Sequence, residues 1–352
     1  MSRLVAPSRL VQRAAVAVAV LYVLALVVMA LGLRFVGERW WVTTVALYLP
    51  RLGFAVPLPV VLLALGLLRL WRELWVTLAS SIVALAILMG FVLPWPTSVD
   101  RSAPVLRVLS FNCNSGYGGV DAVAEEIDHF SPDIVLLQEV GPLEKLGAAM
   151  QARYPTVRMG TQFIVASRFP ISSFVDPEKL PYRDQMRSAR WTEQVIETPL
   201  GPISVYNVHP LSPREGLYSI RGDRGLKREI LSGRIFSPEH ADPVQSNAGL
   251  RTLQVQSFAE AATNETGPVI VAGDTNLPGL SFVLHKNLSG FQDGFTRAGW
   301  GFGYTFPTNH MPWMRIDRVL ASDELRFVRF QVGASLVSDH HCVVADLQRR
   351  SP

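Results

Sequence analysis

The sequence predicts an α/β domain of layered sheets, preceded by three transmembrane helices. Three observations predict it. The first 95 residues or so contain three long apolar runs. From Val105 onward the apolar runs shorten and alternate with a few amphipathic stretches. Polar residues able to bind a metal recur at the ends of those short runs.

The first apolar run, residues 14–33, carries no charge and has the length a bilayer-spanning helix needs. The second covers about 52–70 and the third about 74–93. Arg51 marks the start of the second, and Pro57 and Pro59 are expected to kink it. Proline is tolerated in spanning helices when neighbours satisfy the freed carbonyls. A cleaved signal peptide is the rival for the first run, but no small-residue cleavage site stands out and two more apolar runs follow. Arg3, Arg9 and Arg13 precede the first run, and Arg69 and Arg72 lie at the junction of the second and third. Arg34, Arg39 and Arg51, with Glu38, lie between the first and second, so the bias is not clean. The positive-inside rule favours a cytoplasmic N-terminus, and three crossings then put everything after Leu93 outside. Trp40, Trp41, Trp71, Trp75 and Trp95 sit at run ends, where aromatic belts form. Residues 96–104, within the stretch PWPTSVDRSAP, read as a linker. The expected division is therefore a transmembrane region over 1–95 and a second domain over 105–350.

Charge divides the same way. Residues 1–95 hold eight Arg, no Lys and two acids, which leaves 25 basic and 27 acidic residues for the remainder. The basic pI near 9.2 thus belongs to the membrane part. The second domain lacks the overall positive charge with which a non-specific DNA binder neutralises phosphates. Two cysteines, Cys113 and Cys342, make no disulfide framework and fit no zinc spacing; small buried strand residues are expected.

Short strands are predicted at Val105–Phe111, Asp133–Gln138, Phe163–Ala166, Arg190–Ile196, Ile203–Val208, Val269–Ala272, Arg315–Ala321 and Cys342–Leu347. Helices are predicted at Val120–Phe130, Leu143–Ala152 and Leu250–Ala262. Many short strands with a few helices between them suggest α/β layers around packed sheets, not a parallel nucleotide-binding sheet.

The polar residues at the strand ends carry the chemistry. Asn112 and Asn114 close the first strand and Glu139 the second; His209 follows ISVYNV; Asp274 and Asn276 follow PVIVAG. Asp317 lies inside RIDRVL, and Asp339 and His340 precede CVVADL. Strand ends converge at one edge of a sheet, so these residues are candidates for a single cluster. Such oxygen ligands suit Mg²⁺ or Mn²⁺, which bind through a few carboxylates plus substrate phosphate oxygens. Taken singly, Asp274 could be a turn former, His209 a hydrogen-bonded core residue and Asn114 a strand cap.

Seven segments, SFNCN, LLQEV, VASRFPI, NVHPLSP, VAGDTN, RIDRV and SDHHCVV, run in order over residues 110–344. In this the chain resembles the endonuclease/exonuclease/phosphatase superfamily of DNase I-like nucleases, neutral sphingomyelinases and inositol-phosphate 5-phosphatases. The resemblance implies a DNase I-like four-layer α/β sandwich and a divalent-metal-dependent phosphoesterase. It implies Glu139 as principal metal ligand, with Asn112 beside it, Asn114 where many members carry Asp or Asn, and Asp339 near the metal. It implies Asp274 as the carboxylate that orients the attacking water, Asn276 on a phosphate oxygen, and His340 as the catalytic histidine held by Asp317. His209 matches a second histidine able to protonate the leaving oxygen. Cys342 replaces the usual proline of the last motif, and His341 falls on a variable position.

Residues between His209 and Leu250 include Arg214, Arg221, Arg224, Lys227, Arg228 and Arg234, either a solvated face or a rim that attracts an anionic substrate. Trp300, Phe302, Tyr304, Phe306 and Trp313 flank a loop near Asp317 and could be core or bilayer-facing. The expected function is hydrolysis of a phosphate ester or anhydride outside the cytoplasm of a bacterium. By analogy with membrane-anchored bacterial members, a lipid-linked pyrophosphate is a candidate substrate. A tethered nuclease is less favoured on charge, and a catalytically silent binding module is opposed by the complete set of acids, Asn and His.

Overall fold

The computed structural model of the protein describes residues 8–93, 100–221, 226–232 and 237–350. Residues 96–99 of the expected linker, together with Arg3, Trp95, Arg224 and Arg234, lie outside the described residues.

Helix α1 spans Arg9–Phe35 and starts at Ser8, whose hydroxyl accepts from the Val11 amide. Its buried residues Ala19, Leu26 and Leu33 recur every two turns and form one narrow stripe. The other faces are exposed yet apolar, including Val18, Leu21, Leu24, Val28 and Leu31. A helix apolar all round suits lipid better than water. After α2 (Trp41–Tyr48) and α3 (Leu58–Leu67), helix α4 (Trp71–Met89) repeats the design, burying Thr77, Ser81, Ala84 and Leu88. Gly90, in the left-handed region at φ 72°, stops α4. By length and composition α1 and α4 can each cross a membrane, and a third crossing is available if the bent pair of Trp41–Tyr48 with Arg51–Leu67 counts as one.

The expected second span, 52–70, is not one straight helix. Arg51–Ala55 form a 3₁₀ turn, and α3 begins only after Pro57, because Pro57 and Pro59 lack the amides that would continue an earlier turn. Residues 41–48, left between spans by sequence, form α2, which meets the following segment at 93°. Helices α1, α3 and α4 pack together. At one end of this bundle Ala15, Val16 and Ala19 meet Val61, Leu65, Leu70 and Leu74. At the other, Leu26 and Leu33 meet Ala84, Leu88, Leu47 and Tyr48, and with them Met314 and Ile316 of the second domain. Arg9, Arg13, Arg69 and Arg72 therefore share the end remote from that domain.

The second domain is built on strands β1 (Leu106–Asn112), β2 (Ile134–Gln138), β3 (Thr156–Met159), β4 (Ile164–Ser167), β5 (Ile171–Val175), β6 (Leu180–Tyr182), β7 (Gln185–Arg187), β8 (Trp191–Thr198), β9 (Gly201–Val208), β10 (Val269–Asp274), β11 (Gln292–Asp293), β12 (Asp317–Ala321), β13 (Leu325–Val332) and β14 (Val343–Arg349). Two six-stranded mixed sheets run β13-β14-β1-β2-β4-β3 and β11-β12-β10-β9-β8-β5, and β6-β7 form a separate hairpin. Helices α5 (Val120–Phe130) and α6 (Leu143–Gln151) follow β1 and β2. Helices α7 (Arg214–Arg221), α8 (Leu226–Leu231) and α9 (Pro238–Thr263) lie between β9 and β10, and α10 (Phe282–Leu288) and α11 (Gly294–Ala298) follow β10. Helix α9 starts well before the predicted Leu250, its polar first half and Pro243 having masked the helical pattern.

Side-chain alternation assembles the layers. Val108, Ile134 and Leu136 of one sheet meet Val205, Ile270 and Val319 of the other in a shared core. The opposite phase, Leu109, Phe111, Val135 and Leu137, packs with Val123 and Ile127 of α5 and Leu146 and Met150 of α6. Tyr206, Val208, Val269 and Val271 likewise pack with Val255 and Phe258 of α9. The order helix, sheet, sheet, helix is the expected four-layer sandwich. Cys113 and Cys342 are both free and buried.

Candidate active site

The same two-residue period builds the site. Asn112 continues the inward phase of Leu106 and Val108, Gln138 that of Ile134 and Leu136, Asp274 that of Ile270 and Ala272. Strands β1 and β2 are parallel, as are β9 and β10, so their C-terminal ends lie together. Strands β12 and β14 run antiparallel to β10 and β1, which brings the start of β12, Asp317, and the residues just before β14, Asp339 and His340, to the same edge. The inward phase therefore changes from hydrocarbon to polar groups where the two sheets open.

There a cleft of about 580 Å³ is lined by Glu139, His209, Asp274, Asn276, Asp339 and His340. Asn112 and Asp317 lie fully buried behind it. The Nδ1 of His340 contacts both Asp317 oxygens, at 3.1 and 2.9 Å, and its Nε2 faces Asp274 Oδ2 at 3.7 Å. Phe306 covers the His340 ring at a centroid distance of 4.6 Å. His209 is oriented by Gln162, whose Oε1 lies 2.8 Å from Nδ1, and its Nε2 lies 3.2 Å from Glu139 Oε1 and 3.6 Å from Asp274 Oδ2. Asn112 donates to Asp274 Oδ2 at 3.1 Å, and the Asn276 amide N–H donates to Asp274 Oδ1 at 2.9 Å. Both Glu139 and Asn276 have positive φ, 49° and 50°. Such backbone is held only where its surroundings enforce it, and it clusters at functional sites.

Electrostatics separates the groups. Burial by itself would lower the His340 imidazole, but the charges of Asp317 and Asp274 outweigh it and raise the group to about 10. Burial would raise Glu139, but hydrogen bonding and charge from His209, with help from Asn112, hold it down at about 2. Asp274 is raised, by burial first, against the pull of His340. The cleft thus presents an ionised carboxylate, a cationic imidazole and, between them, a carboxyl with enhanced proton affinity.

Two donor sets could hold a cation. Asp274, Asp317 and His340 offer ligand atoms within 4.8 Å of one another. An ion there would have to break the His340–Asp317 contact. Glu139 fits better: its side chain is one-third exposed to the cleft and ionised, and it stands beside Asn112, Asp274 and the Nε2 of His209. That oxygen-rich corner suits a hard divalent ion such as Mg²⁺ or Mn²⁺.

The structure brings together every expected site residue except one. Asn114 sits in a turn with φ 43°; its amide donates to Asn112 Oδ1, and its side chain is not among those lining the cleft. His341 points elsewhere, its ring against the Ser335 carbonyl. Several residues escaped the sequence reading. Gln138 donates to Asn207 and Ser110 in a buried polar layer beneath the site. Gln162 sets His209, and Arg190 and Arg214 line the cleft as cations. The Arg214 guanidinium lies 3.6 Å from Asp339. The phase of Gln138 and Asn207 was readable, and Arg214 belongs to the basic stretch that the sequence offers as a rim; Gln162 and Arg190 gave no local signal. Least expected is Tyr48, at the end of α2: it lines the cleft, and its hydroxyl donates to the Asn276 carbonyl at 2.9 Å.

The fold recurs in solved structures. An endonuclease/exonuclease/phosphatase from Beutenbergia cavernae superposes with a TM-score of 0.54 at 18% identity, covering 70% of this chain and 72% of its own. One from Bacteroides vulgatus gives 0.50 at 15% identity, covering 70% of this chain and all of its own. No curated protein matches the chain. The profile described as "Endonuclease/Exonuclease/phosphatase family" matches residues 109–340, which take in every residue of the cluster. The chain, with its paired sheets and its strand-end acids and histidines, belongs to the endonuclease/exonuclease/phosphatase family, whose members hydrolyse phosphate esters with the help of divalent metals.

Proposed function

We propose that the protein is a membrane-anchored, divalent-metal-dependent phosphoesterase that cleaves a lipid-linked phosphate or pyrophosphate outside the cytoplasm. The observation that carries this reading is the cleft's composition. One wall holds Glu139, Asp274, His209 and His340, and the other holds Tyr48 of the N-terminal helices with Leu217, Phe306, Trp313 and Met314. A phosphate fits the first wall and an apolar substituent the second.

The chain's own residues divide the work as follows. Glu139, with Asn112 and with Asp339 nearby, would hold the Mg²⁺ or Mn²⁺, which when bound supplies neutralising charge to the phosphoryl oxygens. Asp274 orients the attacking water, and its raised proton affinity suits it to receive a proton. His340, kept cationic by Asp317, contacts the phosphoryl group through Nε2 as negative charge develops. Asn276 and Arg190 fix phosphate oxygens, and His209 stands where a leaving oxygen can be protonated.

The bundle geometry supports the orientation. Arg9, Arg13, Arg69 and Arg72 share the end away from the catalytic domain, so the positive-inside rule puts that end in the cytoplasm and the cleft outside. The test is purified full-length protein with Mg²⁺ or Mn²⁺ against lipid pyrophosphates, phospholipids and DNA. Metal-dependent release of phosphate from the lipids supports the reading. Cleavage of DNA alone would replace it with a tethered nuclease, and no hydrolysis of any substrate with a silent binding module.

A further inference from the structure

We infer that the loop over residues 299–304 of the catalytic domain lies in the lipid–water interface of the leaflet in which α4 ends, and so holds the cleft at headgroup height. This rests on the reading that α4 spans a bilayer. Trp300 is 71% exposed, far more than a tryptophan in a water-facing surface usually is. It belongs to a group: Phe91, just past the end of α4, packs edge-on against Trp300 at 6.3 Å and Phe302 at 5.2 Å, and Phe302 stacks on Tyr304 at 5.3 Å.

The group is tied to the helix end by backbone. Val92 and Gly301 exchange hydrogen bonds of 2.8 and 2.9 Å, and the Tyr304 hydroxyl donates to the Met89 carbonyl at 2.8 Å. The loop's height is therefore set by α4. At the other end of α4, Trp71 and Trp75 are also exposed. A helix of 19 residues is ~28 Å long, close to the hydrocarbon thickness of a bilayer. Two exposed aromatic groups at that separation match the two interfacial belts that indole rings favour. One belt is supplied by the helix itself, the other mainly by the catalytic domain. From Tyr304 the chain passes directly to Phe306, which lines the cleft. Anchor and cleft thus belong to one short segment.

The occupant is a lipid leaflet rather than a protein partner. A fluorophore on a single added cysteine tests this in the full chain, because Cys113 and Cys342 are buried. The variants are Phe302→Cys, Ile82→Cys at the middle of α4, and Val175→Cys on the outer strand of the far sheet edge. Each is labelled with an environment-sensitive dye and placed in nanodiscs of phosphatidylcholine and phosphatidylglycerol carrying nitroxide quenchers near the headgroup or deep in the acyl chain. The label at 302 should lose most of its emission to the shallow quencher, the label at 82 to the deep one, and the label at 175 to neither. A quenched label at 82 with an unquenched label at 302 overturns the inference and leaves the membrane reading standing; an unquenched label at 82 removes both. Should Phe302→Cys fail to fold, Trp300→Cys carries the same expectation.

Discussion

The two walls of the cleft are made in opposite ways. The polar wall comes from strand ends of one domain, each side chain placed by the alternation of a strand whose other inward residues are core. The apolar wall is assembled from distant pieces: Tyr48 from the N-terminal helices, Leu217 from α7, and Phe306 and Trp313 from the segment before β12. The first is a consequence of the fold. The second is completed by Tyr48 because α2 is docked on the domain. Glu38 shows how: this buried carboxylate accepts from the Ser281 hydroxyl and the Val283 amide, so a residue next to α1 holds the start of α10. Under the proposed function, chemistry and substrate choice are expected to reside in parts of the molecule that can be broken separately.

The largest effect should come from the polar wall. His340→Ala is expected to lower turnover at least ~10²-fold, the scale for losing a positioned acid or base. Asp317→Asn should be impaired as well, and the double variant should lose much less than the product of the singles, because the two act as a unit. His341→Ala should stay near wild type; a dead His341 variant beside an active His340 variant would reverse the assignment. Glu139→Gln comes next. It removes the formal charge from the proposed ligand, and activity titrated against Mg²⁺ should need at least about tenfold more metal. An unchanged titration would place the ion elsewhere, with Asp274, Asp317 and His340 the alternative set.

Acid–base behaviour tests the same wall without turnover. In chelated protein the contribution of His340 to stability has a definite sign. Its folded value, about 10, lies above its ordinary 6.5, so the contribution is full below about pH 6.5 and is lost as pH rises toward 10. Melting temperatures should fall across that window more in wild type than in His340→Ala, and parallel curves would refute a charged His340.

The joint between the walls should give smaller effects. Glu38→Ala leaves Ser281 as the cap of α10 but strips the Ser281 hydroxyl and the Val283 amide of their acceptor, and should cost about 1–2 kcal/mol in unfolding measured in detergent. If instead only turnover fell, Glu38 would have a role beyond docking. The smallest effect is expected at the apolar wall. Leu217→Ser should raise KM for a lipid-linked substrate roughly fivefold, about 1 kcal/mol of lost apolar contact, and leave kcat nearly unchanged. A fall in kcat of the same size would mean the two walls are not separable.

Sequence alone determined the polar wall and the layers behind it. Asn112, Asp274 and Asp317 close or open apolar runs of strand period, and the order of seven motifs defined the four-layer sandwich in which those ends meet. It also showed the apolar runs, because charge-free length is a local property. Tertiary structure decided what depends on contact between remote segments. Pro57 and Pro59 reduce the second run to a 3₁₀ turn and α3, and residues 41–48, outside that run, form a helix whose last side chain, Tyr48, enters the cleft. Gln162 and Arg190 acquire their places only when β4 and β8 are folded against the site. A strand's period fixes where a side chain points relative to its neighbours in the chain. It contains no information on which distant surface will come to rest against it, because that is settled by burial summed over both surfaces.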